Sequence, residues 1–144
     1  MIRKFALVVF VFAGISHIIF GFVYVTADEF MPYHAQALKV DWNSLDVNYK
    51  TLFLALIRLA GAGGVVAGLA NLTLVTYLFH RAQSKIIWLL PVSALIFQSV
   101  TNYVVYTVYT NTPGEPPLLM VSIGTVVLII ATVLLIVGMR GKHP

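Results

Sequence analysis

Four polar side chains interrupt the long apolar stretches of this chain, and they are the residues best suited to chemistry. They comprise one imidazole, one guanidinium and two amides, at His17, Arg58, Gln98 and Asn102. An imidazole can exchange a proton near neutral pH, a guanidinium binds carboxylates and phosphates, and an amide orients a ligand or a water molecule. Polar groups are costly inside a membrane, so each of the four is a candidate for a binding site.

Each of these residues also has a purely structural interpretation. Arg58 can extend its guanidinium to the membrane surface, and His17 can form a single hydrogen bond with a neighbouring helix. Gln98 and Asn102 can join helices through bonds that average about 0.6 kcal/mol. Such bonds are too weak to be required for stability, but they can fix the register of two helices.

The sequence offers little for catalysis, metal binding or cofactor binding. It has no cysteine, which excludes disulfides, thiolate catalysis, iron–sulfur ligation and cysteine zinc sites. An intramembrane enzyme that uses His17 as its acid–base group lacks a second catalytic residue, and a haem lacks a second axial histidine. His34 with Asp28 and Glu29 matches no strong metal motif. We therefore predict no catalytic residue, no metal and no cofactor, and we rank an enzyme behind the functions considered below.

The composition predicts an all-α integral membrane protein with a single domain. Hydrophobic residues make up 60% of the 144 residues and charged residues 10%, whereas soluble domains carry about 25% charged residues. A helix needs about 20 mostly apolar residues to cross the hydrocarbon. Four stretches qualify, at about residues 5–25, 51–79, 86–109 and 118–139. The first is longer than the apolar region of a signal peptide, and residues 126–130 lack the alternation of membrane β-strands.

Lysine and arginine predict the orientation. Six of the nine basic residues lie on one side of the membrane. The other side has only Lys39 and Lys50, together with all five acidic residues. Because basic loops stay in the cytoplasm, we predict an antiparallel four-helix bundle in the cytoplasmic (inner) membrane, with cytoplasmic termini and one long extracytoplasmic loop. Topology and contact with the lipid bilayer account for the net charge of +4 without a nucleic-acid partner. The cytoplasmic basic residues are Arg3, Lys4, Arg81, Lys85, Arg140 and Lys142.

The long outer loop covers residues 27–50. Pro32 suits the first turn of a short helix, and Asn43 or Ser44 suits the N-cap of the second span. The aromatic residues of this loop indicate either a lid over an outward-facing cavity or an ordinary interfacial belt. The candidates for the lid, or for a counter-charge to Arg58, are Asp28, Glu29, Tyr33, His34 and Trp42.

Small residues mark the helix faces that pack against each other in lipid. In the first span, two glycines share a face with His17, and in the second span, three glycines share a face with Arg58 and Asn71. The fourth span is mostly Val, Leu and Ile, and we expect it to be the most lipid-exposed. The residues predicted to allow close helix packing are Gly14, Gly21, Gly61, Gly64 and Gly68.

The polar residues of three spans coincide in depth. At 1.5 Å per residue, His17 lies roughly 18 Å from the inner end of its span and Arg58 roughly 10 Å from the outer end. The two amides of the third span fall at a similar level, on a face that continues into tyrosines. We therefore predict one connected site that opens outward and is lined by His17, Arg58, Gln98, Asn102, Tyr103 and Tyr106.

In outline, a small four-helix bundle with glycine-rich spans resembles many bacterial membrane proteins, including those similar to DoxX. This resemblance concerns architecture alone and implies neither a function nor roles for residues. One hypothesis is that the chain binds or carries a hydrophobic or amphiphilic ligand, such as an anionic amphiphile, a lipid or a quinone. The alternative is an accessory subunit whose glycine face docks a larger membrane complex or a second copy of the chain.

Overall fold

The structure is a computed structural model that describes residues 1–81 and 85–140. Lys142, which contributes to the charge argument, lies outside these residues. The described part of the chain is helical and contains no β-strand, and two short 3-10 turns occur at Trp42–Ser44 and Lys85–Trp88. Its α-helices are α1 (Ile2–Val25), α2 (Pro32–Leu38), α3 (Val47–His80), α4 (Leu89–Asn111) and α5 (Leu118–Arg140).

Four of the described helices, α1, α3, α4 and α5, are long and apolar enough to cross a membrane. This finding confirms the all-helical class and the four candidate spans. α3 has 34 residues, which corresponds to about 51 Å at 1.5 Å per residue, whereas the hydrocarbon core of a bilayer is about 30 Å thick. α3 must therefore tilt or extend beyond the hydrocarbon.

The start of α3 differs from the prediction. The N-cap residue is Asp46, whose carboxylate accepts a hydrogen bond from the backbone N–H of Asn48 at 2.8 Å. Asn43 and Ser44 belong instead to a 3-10 turn, in which Ser44 Oγ donates to the carbonyl of Asp41 at 2.8 Å. The predicted N-cap was wrong because Asn43 and Ser44 lie within that turn, and the helix begins only after Asp46.

The main apolar core lies at the end of the bundle where α1 begins and where α3 and α5 end. We call this end of the bundle the basic end. The opposite end carries α2, and we call it the loop end. Large apolar side chains such as Phe12 and Val66, each 65% exposed, cover the outside, as lipid-facing residues do. The core contains side chains that are at most 5% exposed, from all four long helices and the turn before α4: Ala6, Leu7, Phe10, Val75, Leu78, Ile87, Leu90, Ala94, Leu128, Ala131 and Leu135.

Glycines bring α1 and α3 into backbone contact. A Cβ atom added to Gly61 would lie 2.6 Å from the carbonyl oxygen of Gly21, and one added to Gly68 would lie 2.6 Å from the carbonyl oxygen of Gly14. Gly64 is less crowded, with 3.3 Å to the Cα of Gly21. The later glycine of α1 meets the earlier glycine of α3, so these helices run in opposite directions. The five glycines predicted for packing therefore lie between two helices of the same chain.

The long helices are arranged in the order α1, α3, α4, α5 around the bundle. α1 packs along α3 and α5, and α4 packs along α5, whereas α3 and α4 touch over a shorter stretch. At the basic end, Arg3 Nη2 donates to the carbonyl of Leu78 and, at 3.5 Å, to that of Arg81. A cation at the carbonyl end of a helix is favourable, so Arg3 ties the start of α1 to the end of α3.

Candidate functional site

A line of hydrogen bonds crosses the bundle from α1 through α4 to α5. His17 Nε2 lies 3.4 Å from Gln98 Oε1, and because an amide oxygen only accepts, the imidazole N–H donates. Gln98 Nε2 donates to the carbonyl of Val121 at 2.9 Å. The His17 ring also packs edge-on against Phe97, with ring centroids 4.8 Å apart. The bond between His17 and Gln98 joins α1 and α4, which lie diagonally across the bundle.

Asn102 and Thr125 extend this line of bonds between α4 and α5. Asn102 Nδ2 donates to the carbonyl of Gln98 at 3.1 Å and to the hydroxyl of Thr125. Thr125 Oγ1 donates to the carbonyl of Val121 at 3.1 Å. We call His17, Gln98, Asn102 and Thr125 the polar cluster. The structure thus brings together three of the residues predicted to bind a ligand and adds Thr125 to them.

The polar cluster lies where the buried part of the bundle ends. Gln98 is the last buried residue of α4, and none of residues 99–111 is buried. On α5, none of residues 118–127 is buried. His17 and Asn102 are themselves only partly buried. Toward the loop end, α4 and α5 therefore bury little surface against α1 and α3, and the polar cluster lies next to this open region.

Arg58 lies outside the polar cluster. Its Nη2 donates to the carbonyl of Ala27 at 3.1 Å and lies 3.9 Å from Asp28 Oδ1. The two side chains are 49% and 99% exposed, so their ion pair is a weak surface contact. His17 is about 12 Å deeper than the end of α1 at 1.5 Å per residue. Arg58 and His17 therefore bond different partners at different levels of the bundle.

The length of α3 explains where Arg58 lies. Counted from the basic end of α3 at His80, Arg58 is about 33 Å away at 1.5 Å per residue. This distance is close to the hydrocarbon thickness of about 30 Å. Arg58 therefore reaches the loop-end surface with its long side chain, as in the structural interpretation of this residue.

Tyr103 and Tyr106 also lie outside the polar cluster, since their side chains are 71% and 57% exposed. Tyr103 follows Asn102 directly, and one residue turns a helix by about 100°, so an inward Asn102 directs Tyr103 outward. Tyr106 is one turn beyond Asn102, at a level where no residue of α4 is buried. The tyrosines therefore face the surroundings of the bundle.

The loop between α1 and α3 folds into a small second core at the loop end. Its centre is Phe30, which is 5% exposed. The ring of Trp42 packs edge-on against Phe30, with centroids 5.0 Å apart, and the hydroxyl of Tyr33 bonds the hydroxyl of Tyr24 on α1. Two of the predicted lid residues, Trp42 and Tyr33, therefore pack against the protein itself.

α2 connects this second core to the turn between α4 and α5. The helix begins at Pro32, as predicted. A Cβ atom on Gly114 would lie 2.6 Å from the carbonyl oxygen of Tyr33, so the turn rests directly on α2. The Glu115 N–H donates to Gln36 Oε1 at 3.2 Å. α2 thus lies across the loop end, from the end of α1 to the start of α5.

The other predicted lid residues differ in charge and burial. His34 Nδ1 accepts a hydrogen bond from the N–H of Met31 at 3.2 Å, and burial lowers the pKa of His34 below its ordinary value. Burial, together with the Tyr24 hydroxyl, raises the pKa of Tyr33. Asp28 and Glu29 are exposed. Within residues 1–81 and 85–140, no three histidine, cysteine or acidic side chains are grouped to hold a metal ion.

An open cavity of about 310 Å³ lies on the surface of the second core. It shares no residue with the polar cluster, so the cavity and the polar cluster are separate features. Both acidic and aromatic residues are among those that line it. The lining residues are Glu29, Phe30, Pro32, Ala35, Asp41, Trp42 and Asn43.

Sequence reasoning missed three residues that shape these features. Phe30 lies next to two acidic residues, and no apolar periodicity in that segment marks it as buried. Thr125 has no distinguishing signal, because a hydroxyl in an apolar span usually bonds the carbonyl of its own helix. Gly114 follows a proline in a turn, a pattern that predicts the turn but not its contact with α2.

Comparison with known proteins adds no assignment. No family model, no curated protein and no solved structure matches this chain. The resemblance in outline to small bacterial four-helix membrane proteins therefore stays one of architecture, and the function must be argued from the residues themselves.

Proposed function

We propose that this chain is a multi-pass protein of the cytoplasmic (inner) membrane, with four antiparallel spans and both termini in the cytoplasm. The distribution of lysine and arginine supports this topology. So does the contact between Arg3 and the carbonyl of Arg81, which brings two of the basic groups to the same end of the bundle. In this orientation the basic end is cytoplasmic and the loop end is outside.

Within this topology, the chain binds or carries an amphiphilic ligand from the outer leaflet. The position of the polar cluster is the observation that carries the proposal. The cluster lies at the end of the buried core, beside the open region between the helices, and α2 lies farther toward the loop end. A polar headgroup can bond the cluster while an apolar tail lies along the exposed surfaces of α4 and α5. α2 limits access from the aqueous side.

The chemistry of the polar cluster favours an uncharged headgroup. Its donors and acceptors are an imidazole, two amides and a hydroxyl, and Arg58 lies at the surface instead. An anionic amphiphile, which would suit an inward Arg58, is therefore less favoured than the sequence suggested. A carbonyl oxygen of a quinone or an ester oxygen of a lipid can replace Gln98 Oε1 as the acceptor of the His17 N–H.

The test is to purify the protein in mild detergent, extract the bound lipids and quinones, and compare them with the whole membrane by mass spectrometry. We expect one class of molecule to be enriched. Joint replacement His17→Leu and Gln98→Leu should reduce this enrichment by about tenfold, equivalent to about 1.4 kcal/mol.

Thr73→Leu provides the control, because Thr73 is an exposed polar residue of α3 and lies outside the surfaces of α4 and α5 that hold the tail. This variant should retain the wild-type enrichment. An extract that mirrors the bulk membrane, or a His17/Gln98 variant that keeps the enriched class, would contradict the proposal.

A second candidate function is an accessory subunit, and one observation favours it. The amides of Gln98 and Asn102 already bond partners within the chain, which is the arrangement expected if they only fix helix packing. The glycines, however, are used between α1 and α3. A larger partner would therefore have to dock on another face, such as the exposed tyrosines of α4.

A further inference from the structure

The open cavity at the loop end has an aromatic wall and two carboxylates. Phe30 and Trp42, which both line it, pack edge-on against each other, and Glu29 and Asp41 are also among its lining residues. None of the described residues that line it is basic. The lining thus contains two acidic residues and no basic one, a balance that favours a positively charged ligand over an anion.

The ring of Trp42 already contacts a cation of the protein. Lys50 Nζ lies 5.8 Å from the ring centroid, within the range of about 6 Å over which an aromatic ring attracts a cation. Lys50 is not a lining residue of the cavity, and its ammonium reaches the carbonyl of Asn43 at 3.4 Å. The Trp42 ring therefore already attracts one ammonium, and a ligand cation in the cavity would share this ring with Lys50.

The shape and lining favour an organic cation over a metal ion. Metal ions require several converging ligands, and no group of three such side chains occurs in the described part of the chain. An alkylated ammonium is weakly hydrated, and it is recognised by aromatic rings. The volume of about 310 Å³ falls at the small end of the range for ligand pockets, which suits a headgroup without its acyl chains.

We propose that this cavity binds an alkylated ammonium group, with Trp42 as the aromatic contact and with Glu29 and Asp41 as counter-charges. The group can belong to the headgroup of an outer-leaflet lipid or to a free solute. The site is separate from the polar cluster, so this proposal is tested independently of the function proposed above.

Tryptophan fluorescence of the full chain in maltoside detergent tests this proposal. Trp88→Phe leaves Trp42 as the single tryptophan. Choline chloride should change its emission saturably, whereas sodium chloride at equal ionic strength should not. Each of Glu29→Gln and Asp41→Asn should weaken the apparent affinity about two- to fivefold, the range for an exposed charge pair.

Two controls separate binding from general effects. Glu115→Gln removes one carboxylate from the same side of the membrane, outside the cavity, and should leave the choline response unchanged. Trp42→Phe, with Trp88 as the reporter, should show no response. An equal response to sodium chloride, or full affinity in the Glu29→Gln, Asp41→Asn double variant, would overturn the proposal.

Nanodiscs identify the source of the ammonium group. If a lipid headgroup occupies the cavity, phosphatidylcholine discs should weaken the response to choline relative to phosphatidylglycerol discs. If a free solute is bound, both discs should give the same saturable response. Absence of a saturable response to choline in both kinds of nanodisc would overturn the proposal. This outcome does not depend on how well the variants fold.

Discussion

At the residue scale, the polar cluster is held by amide geometry. The carboxamide of Gln98 uses its oxygen for His17 and its nitrogen for the carbonyl of Val121, so both ends are satisfied in a mostly apolar setting. An amide can do this without the large cost of an ion in the membrane. The polar cluster can therefore exist in a small bundle, and a ligand oxygen receives the His17 N–H only by displacing the Gln98 oxygen.

Arg58 is expected to be dispensable for ligand binding. It contacts Ala27 and Asp28 at the surface, so Arg58→Gln should cost less than about 1 kcal/mol of stability, as for exposed ion pairs. Enrichment of the co-purifying ligand should stay at the wild-type level. Thermal unfolding measures the stability of the variant, and mass spectrometry measures the enrichment of the ligand. A loss of the ligand would mean that Arg58 belongs to the binding site.

His34 should make the start of α2 sensitive to pH. Its Nδ1 must be unprotonated to accept the Met31 N–H, and burial lowers the pKa of His34 from 6.5. The unfolded state therefore binds a proton more readily, so the fold loses stability as pH falls through about 6.5 and levels off below the folded pKa.

Hydrogen–deuterium exchange, corrected for its intrinsic pH dependence, should show weaker protection in α2 at pH 5.5 than at pH 8. His34→Gln should remove this difference. Equal protection of wild-type α2 at both values would contradict the role of His34.

At the element scale, the pairing of α1 and α3 depends on individual glycines. A Cβ on Gly61 would lie 2.6 Å from a backbone carbonyl of α1, whereas a Cβ on Gly63 would meet nothing within 4 Å. Gly61→Ala should therefore destabilise the protein by about 1–3 kcal/mol, as overpacking does.

The matched control is Gly63→Ala, which should change stability by no more than about 0.5 kcal/mol. Gly64→Ala should fall between the two, because its nearest contact of 3.3 Å needs only a small adjustment. Unfolding in mixed micelles ranks the three variants. Equal tolerance would mean that the backbones do not approach as closely as the structure shows.

The elements show what the sequence could and could not predict. The apolar spans follow from length and composition, and glycines at three- and four-residue spacing mark one helix face. The contact of Gln36 with Glu115 joins residues that are 79 positions apart, so no local sequence pattern predicts it. The depth of Arg58 was counted from the outer end of the predicted span, whereas the count from the basic end at His80 is the one that agrees with its exposed side chain.

At the scale of the whole molecule, the bundle has a packed end and an open end. The main core joins all four long helices at the basic end, whereas at the loop end α1 and α3 stay together through glycines. The polar cluster lies between these zones. This asymmetry is the reason to expect a ligand from one leaflet rather than from both.

The proposed orientation can be tested directly, because the chain contains no cysteine. A cysteine at Asn43, in the loop between α2 and α3, should react with an impermeant maleimide added outside intact cells. A cysteine at His80, at the end of α3, should react only after the cells are permeabilised. The opposite pattern would invert the topology and place the polar cluster near the inner leaflet.

The central claim is that the polar cluster receives an amphiphilic ligand, and photo-crosslinking at Phe97 tests it most directly. The Phe97 ring lies 4.8 Å from the ring of His17, so a photoreactive benzoylphenylalanine introduced there lies beside the polar cluster. The same residue at Phe12, which is 65% exposed, reports on bulk lipid. We predict that position 97 captures one class of molecule far above its share of the membrane, and that position 12 does not. Capture of the same bulk mixture at both positions would contradict the account.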